Sequence, residues 1–294
     1  MARKPQALKL LYSDKAATVA AVYLIVLTLL AIFGPMLVGH AAGGLDLRNR
    51  NAPPFDFSKP WLYWLGADSL GRSIIARIIV ASRTTLGIAL SAVTVSMLAG
   101  GVIGVYAGLS RGRAGHFVMR AVDVIMSFPS LLLALIVLYV LGPAPANIVI
   151  VLAVTRLPVY VRTARAEVLE IRERAFVPAA QVMGAGQFHI ALRHIAPLVL
   201  PTLLIIAALD FAYVMLAESA LSFLGIGVQP PNITWGLMVA EGRAYLNTAW
   251  WLAFWPGLAI MLTALAANLL AIWFRIANDP ALRIGLKSGT PADA

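Results

Sequence analysis

The 294-residue sequence predicts an all-α, polytopic membrane protein with six transmembrane helices. Three observations predict it. Hydrophobic residues make up 61% of the chain and charged residues 12%, where soluble domains carry about a quarter, and the mean hydropathy is +0.85. Charge-free runs of roughly 20 residues recur, long enough to cross a hydrocarbon core. Basic residues crowd into the segments between alternate runs, as they do on the cytoplasmic side of membrane proteins. The formal charge of +10 would also suit nucleic acid. Cytoplasmic retention of loops and contact with anionic lipid explain it more simply, so membrane lipid and no nucleic acid is the expected partner. Cysteine is absent, which excludes disulfides, thiolate metal sites and a cysteine nucleophile.

Residues 1–16, with Arg3, Lys4, Lys9 and Lys15, read as a cytoplasmic tail. No Lys, Arg, Asp or Glu follows until Asp46, and residues 17–38 form the first transmembrane helix. A cleaved signal peptide is the alternative, given the small residues at 39–42. The apolar run exceeds the usual length of roughly 7–15 residues for such a peptide, which favours a retained helix. Residues 39–83 read as an external loop with an amphipathic helix. Trp61, Tyr63 and Trp64 suit a headgroup interface, and Ile74, Ile75, Ile78 and Ile79 fall at helical spacing among Arg72, Arg77 and Arg83. In the string GADSLGR, Asp68 or Ser69 reads as a helix N-cap after a turn.

Residues 84–276 form a five-helix transmembrane core, followed by a cytoplasmic carboxyl tail at 277–294. Span two, Thr84 to Ser110, carries no charge, and Gly87, Gly100, Gly101, Gly104 and Gly108 allow close helix approach. Span three runs from 117 to 141 through Pro129, which a membrane helix tolerates when neighbours satisfy the freed carbonyl. A tight turn at 142–146 precedes span four at 147–160; span five covers 198–224 and span six 251–274. Six spans put both termini on one side. With the amino terminus inside, sixteen of the 23 Lys and Arg are cytoplasmic, Arg156 among them.

The longest charged interruption, VRTARAEVLEIRERAFVPAAQVMGAGQFHIALRHIAPLVLP from Val161 to Pro201, reads as short helices broken at Gly184 and Gly186. A charged loop of this size between spans is a docking surface. It resembles the cytoplasmic EAA loop of bacterial ABC importer permeases. Ala179, Ala180, Gly184 and Pro197 stand in that register, with Pro178 in place of the Glu and Ala196 in place of the Leu. GADSLGR is similar to the G-T-D-x-x-G-R-D string of dipeptide and oligopeptide permeases, with Ala67 for Thr and Ser73 for Asp. MRAVDVIMSFPSLLLALIVLYVLGP, AESALSFLGIGVQPPNITWGLMVAEGRAYL and WLAFWPGLAIMLTALAANLL look like the smaller, second-type permease subunit of those importers. The similarity runs from about Trp64 to Arg283.

The resemblance implies a type I ABC importer permease (MetI-like) fold in a bacterial cytoplasmic (inner) membrane, with both termini cytoplasmic. Implied partners are a second homologous permease, two cytoplasmic ATPases and an extracytoplasmic substrate-binding protein. Implied cargo is a di- or oligopeptide, with nickel or glutathione as the alternative. A secondary transporter is the competing class, but no internal repeat is visible and the long charged loop has no task there. The chain holds no GxxxxGK[ST] phosphate loop, so ATP and Mg are expected on the ATPases and no cofactor on this chain. No catalytic set is visible, so no enzyme activity is expected. His40, His116, His189 and His194 lack zinc spacing, so neither is a metal site.

Carried over from the resemblance, the candidates for coupling to an ATPase are Val177, Pro178, Ala179, Ala180, Met183, Gly184, Ala185, Gly186 and Phe188. Translocation-path candidates are Asp210, Tyr213 and Glu218. Asp210 falls near the bilayer midplane, where an ionised carboxylate costs about 2.5–3.5 kcal/mol on insertion scales. It either faces the partner permease, or serves as an interhelical hydrogen bond or a protonated buried acid. Glu218 falls two turns further on, near the external surface, and Asp123 is expected to pair locally with Arg120. The connector 225–251 is either an ordinary surface turn or a rigid scoop that lines an outer gate with Pro230, Pro231 and Trp235.

Overall fold

A computed structural model describes residues 11–110 and 112–278. Arg3, Lys4, Lys9, Arg111, Arg283 and Lys287 lie outside the described residues. Among the described residues the regular elements are helices, apart from one isolated bridge between Ala67 and Ser73.

Helix α1, Lys15–Gly43, begins where the Asp14 carboxylate accepts from the Ala17 amide at 3.1 Å, an N-cap that satisfies one of the free first-turn donors. The following loop carries short 3₁₀ turns at Leu47–Asn49 and Trp61–Tyr63. Helix α2, Ile74–Leu109, is capped by Ser73, whose hydroxyl accepts from Ala76 N at 3.2 Å. The cap is therefore Ser73, not Asp68 or Ser69; the Asp68 carboxylate is occupied elsewhere. The amphipathic stretch is not a separate helix of the external loop. It is the start of α2, whose 36 residues at about 1.5 Å each exceed the roughly 30 Å hydrocarbon thickness, so its first turns stand beyond the hydrocarbon.

α2 is the bundle's central mast. Gly100, Gly104 and Gly108 recur every four residues and so share one face against α5, Pro145–Ile171. A Cβ on Gly104 would stand 2.6 Å from both the Ala164 Cβ and the Val161 carbonyl oxygen, so only glycine permits this backbone approach.

Span three is broken. Helices α3, Arg113–Met126, and α4, Ser130–Leu141, meet at 88° across residues 127–129. Pro129 has no amide hydrogen and biases Phe128 away from helical angles, so the chain leaves the helix at Ser127. Among the described residues, five helices are long and apolar enough to cross a membrane, or six if the bent pair counts as one span. α5 begins with Pro145 in its first turn and continues to Ile171, so residues 161–171, expected in the loop, extend the helix.

The chain continues through α6, Phe176–Val182, α7, Gln187–Ile190, a π-helical turn at Ala191–Ile195, and α8, Ala196–Phe223. A connector holding α9, Trp235–Gly242, leads to α10, Trp251–Asn278. Two cores result. The larger joins Ile88, Leu138, Ile148, Met215 and Trp235. The smaller joins Tyr160, Val168, Val177, Ala180, Ile190 and Leu203, and so roots the short helices α6 and α7 on the main bundle.

Candidate functional site

Midway along α8 the chain buries one acid. Asp210 is 4% exposed and accepts a forked pair of hydrogen bonds from Arg156 of α5, Nε to Oδ2 at 3.1 Å and Nη2 to Oδ1. A bidentate guanidinium–carboxylate pair is the arrangement that best offsets removal of both charges from water. Arg156 was assigned to the cytoplasmic loop by charge counting; it sits instead inside a span, drawn there by Asp210. The Arg156 guanidinium also lies over the Tyr213 ring, 4.3 Å from its centroid, in cation–π range. The Tyr213 hydroxyl is 3.2 Å from the Ser130 hydroxyl, at the start of α4 and therefore at the break in span three. Tyr160, fully buried, stands beside Asp210.

Of the three path candidates, Asp210 and Tyr213 thus share one cluster. Glu218 does not join it; it lies in the last turns of α8, the twenty-third of its 28 residues. It is fully buried, accepting from Ser222 Oγ at 2.7 Å under the connector, where Gly227 and Gly236 press against Ser222 and Ser219. Asp123 pairs with Arg162, not with Arg120, because α3 packs on α5 and brings the guanidinium opposite the carboxylate.

The coupling candidates divide by burial. Val177 and Ala180 face inward with Ile190, while Pro178, Ala179, Met183, Gly184, Gly186 and Phe188 are exposed and Ala185 is half-buried. Val182, Met183 and Phe188 are 89%, 82% and 77% exposed on a segment flanked by exposed Glu173, Arg174 and Arg193, hence outside the hydrocarbon. Three large apolar side chains presented this way form a contact surface. The reversal between α6 and α7 falls on Gly184, at φ +87°, an angle glycine reaches without strain; Gly186 has ordinary angles.

At the opposite end lies the connector with the gate candidates Pro230, Pro231 and Trp235. Trp235 is fully buried; its ring nitrogen donates to the Ile78 carbonyl at 2.9 Å and its amide to Thr85 Oγ1 at 3.1 Å. It pins α9 to α2. Pro230 and Pro231 are exposed.

Beside them stands a network that motif reading missed. Asp68 accepts from the amides of Leu70 and Arg72, each at 2.9 Å, and from Arg72 Nε and Arg77 Nη1, each at 2.6 Å. Arg77 then donates to Glu241 Oε2 at 2.8 Å. The family-like spacing of Asp68 and Arg72 was a visible signal; the reach to Glu241, 164 residues away, was not. Among the described residues no group of three His, Cys, Asp or Glu is placed to hold a metal.

Comparison with known proteins is consistent across most of the chain. Residues 100–284 match the family described as "binding-protein-dependent transport system inner membrane component". Residues 6–54 match the "N-terminal TM domain of oligopeptide transport permease C". A probable D,D-dipeptide transport system permease protein of Escherichia coli (strain K12) is 36% identical, over 89% of this chain and 86% of that protein. A di/tripeptide transport system permease protein of Pseudomonas aeruginosa is 37% identical over 92% and 89%. A nickel transport system permease protein of Escherichia coli (strain K12) is 35% identical over 92% and 96%. The inward-facing MetNI methionine ABC transporter shares the fold at a TM-score of 0.54 and 17% identity, covering 67% of this chain and 94% of that one.

Proposed function

Because the chain belongs to the binding-protein-dependent transport system inner membrane component family, and is a multi-pass permease subunit of an ABC importer, we propose the following mechanism. It pairs with a second permease, takes a di- or oligopeptide from an extracytoplasmic binding protein, and passes it inward when two cytoplasmic ATPases close. ATP and Mg belong to those ATPases. Both termini and the segment 172–196 face the cytoplasm; Lys59 and Asn247 face outward.

The observation that carries the reading is the build of residues 172–196. α6 is anchored inside by Val177 and Ala180 yet presents Val182, Met183 and Phe188 outward. Past the reversal at Gly184, α7 runs through the π-helical turn into α8, the helix that holds Asp210. Force applied to α6 therefore reaches α8 through the packing of Val177 and Ala180 with Ile190, at the start of the helical stretch that carries Asp210. π-helical turns often mark functional points, because the extra residue breaks the regular hydrogen-bond ladder. Pro178 in place of the family Glu is accommodated, since it lies in the first turn of α6, where its missing amide hydrogen has no helical partner to lose.

Nickel is the second cargo reading, supported by the 35% identical nickel permease. Peptides come first because a bare divalent cation is repelled by the Arg156 guanidinium beside Asp210.

The test is Met183→Glu with Phe188→Glu, which changes only exposed side chains. The chain should reach the membrane at the wild-type level and fail to retain ATPases on purification, or retain them with hydrolysis unresponsive to loaded binding protein. Wild-type uptake and wild-type stimulation would sink the coupling role. Orientation is checked by single cysteines in this cysteine-free chain: a membrane-impermeant thiol reagent should label Lys59→Cys and Asn247→Cys on intact cells and leave Glu170→Cys unlabelled.

A further inference from the structure

From the mid-span cluster we infer that Arg156 and Asp210 form a subsite for a zwitterionic cargo: the pair parts on arrival, Asp210 receiving the cargo ammonium and Arg156 its carboxylate. The inference rests on the importer reading above and adds to it the residues and the cargo charge pattern.

Three independent features meet at this point. The first is depth. Arg156 is the twelfth residue of a 27-residue helix and Asp210 the fifteenth of a 28-residue helix, so both lie in the apolar middle of spans. Charges there face protein or water, because lipid does not solvate them. The Arg156 side chain is nevertheless 20% exposed and Tyr213 is 40% exposed. Their open side is therefore the side of the partner permease and the aqueous path.

The second feature is the break at residues 127–129. Non-helical backbone at membrane depth persists only where protein buries it or water lines it, and here Ser130 reaches the Tyr213 hydroxyl. Broken helices beside an ionisable pair are a common construction of membrane binding sites.

The third is charge balance. The guanidinium and the carboxylate are matched to each other, and Tyr160 closes the inner side of Asp210. A cargo with one ammonium and one carboxylate replaces both partners at once, so neither protein charge is left bare at any stage. A lone cation or a lone anion leaves one of them unpaired, at the price set by the low dielectric. The Tyr213 ring, already under the guanidinium, offers an apolar face to the cargo between its charged ends.

The experiment uses the whole importer, both permeases with ATPases and saturating binding protein, in proteoliposomes, with labelled Ala-Ala as probe and nickel as second cargo. Asp210→Asn and Arg156→Gln should each lower Ala-Ala uptake at least about tenfold, the scale expected when one member of a desolvated charge pair is lost. The decisive variant is Arg156→Met with Asp210→Leu, since well-packed apolar residues replace a buried ion pair with little loss of stability. It should assemble and melt near the wild-type temperature, while Ala-Ala uptake stays low. Recovery of uptake to within about twofold of wild type, or loss of assembly in every variant, makes the pair a packing device and overturns the subsite. A wild-type importer that carries nickel and no Ala-Ala instead overturns the peptide reading and the subsite with it.

Discussion

Arg77 and Arg156 both leave water, and their surroundings differ in kind. Arg77, with a side chain 3% exposed, bridges Asp68 of the loop before α2 and Glu241 of α9. It joins three stretches of sequence and shares its carboxylate with Arg72. Arg156, 20% exposed, holds one carboxylate and rests on a tyrosine ring that is open on one side. The first arrangement is closed, and every displacement of its parts separates charge. The second is neutral as a pair and open to exchange. An enclosed ion network serves as a joint, whereas a matched pair with an open edge serves as a site.

Arg77→Met is the harshest way to break that contrast. It strands the Asp68 carboxylate with Arg72 alone and frees Glu241, and removal of one partner from a buried ion pair costs about 3–5 kcal/mol. The melting temperature of the purified permease pair should fall by several degrees, and Arg77→Lys should recover only part, because a single ammonium cannot reproduce the fork. An unmoved melting curve would mean that Arg77 is no joint.

Asp210→Asn should weaken the fold by less, about 1–2 kcal/mol, because the amide oxygen still accepts from the guanidinium. Its effect belongs to uptake, and a stability loss as large as that of Arg77→Met would erase the distinction between joint and site. Gly184→Ala comes next, at about 1 kcal/mol, from the backbone angle alone. A Cβ there meets nothing within 4 Å in this chain, so any larger loss, read as reduced ATPase stimulation, reports contact with the ATPase. Glu241→Gln is the smallest: its side chain is 37% exposed, and a half-solvated partner contributes under about 1 kcal/mol. Together the four changes rank the two regions by enclosure.

Hydropathy located five long spans, and the glycine run in α2 foretold close packing. The sequence marked Gly184 and Gly186 for the reversal, which falls on Gly184, and depth alone singled out Asp210. Other features were not legible because proline and charge are read by their partners. Pro35, Pro158, Pro201 and Pro256 all sit inside helices that continue, while Pro129 stands at a break. Nothing local to these residues separates the two outcomes. Arg156 looked like the first residue of a basic loop because the sequence shows Arg162 and Arg165 soon after it. Trp235 was open to a place in an outer gate by residue type, and its buried seat follows from the Ile78 carbonyl and the Thr85 hydroxyl, 157 and 150 residues away.

By itself the sequence determined the membrane class, the helices and the family, since these depend on runs of apolar side chains and on spacings within one stretch of chain. The tertiary structure decided which charges lie inside spans and with whom they pair. That choice belongs to whichever carboxylate packing brings near, for Arg156 Asp210 at 54 residues' distance and for Arg77 Glu241 at 164. A buried charge is stable only opposite its partner.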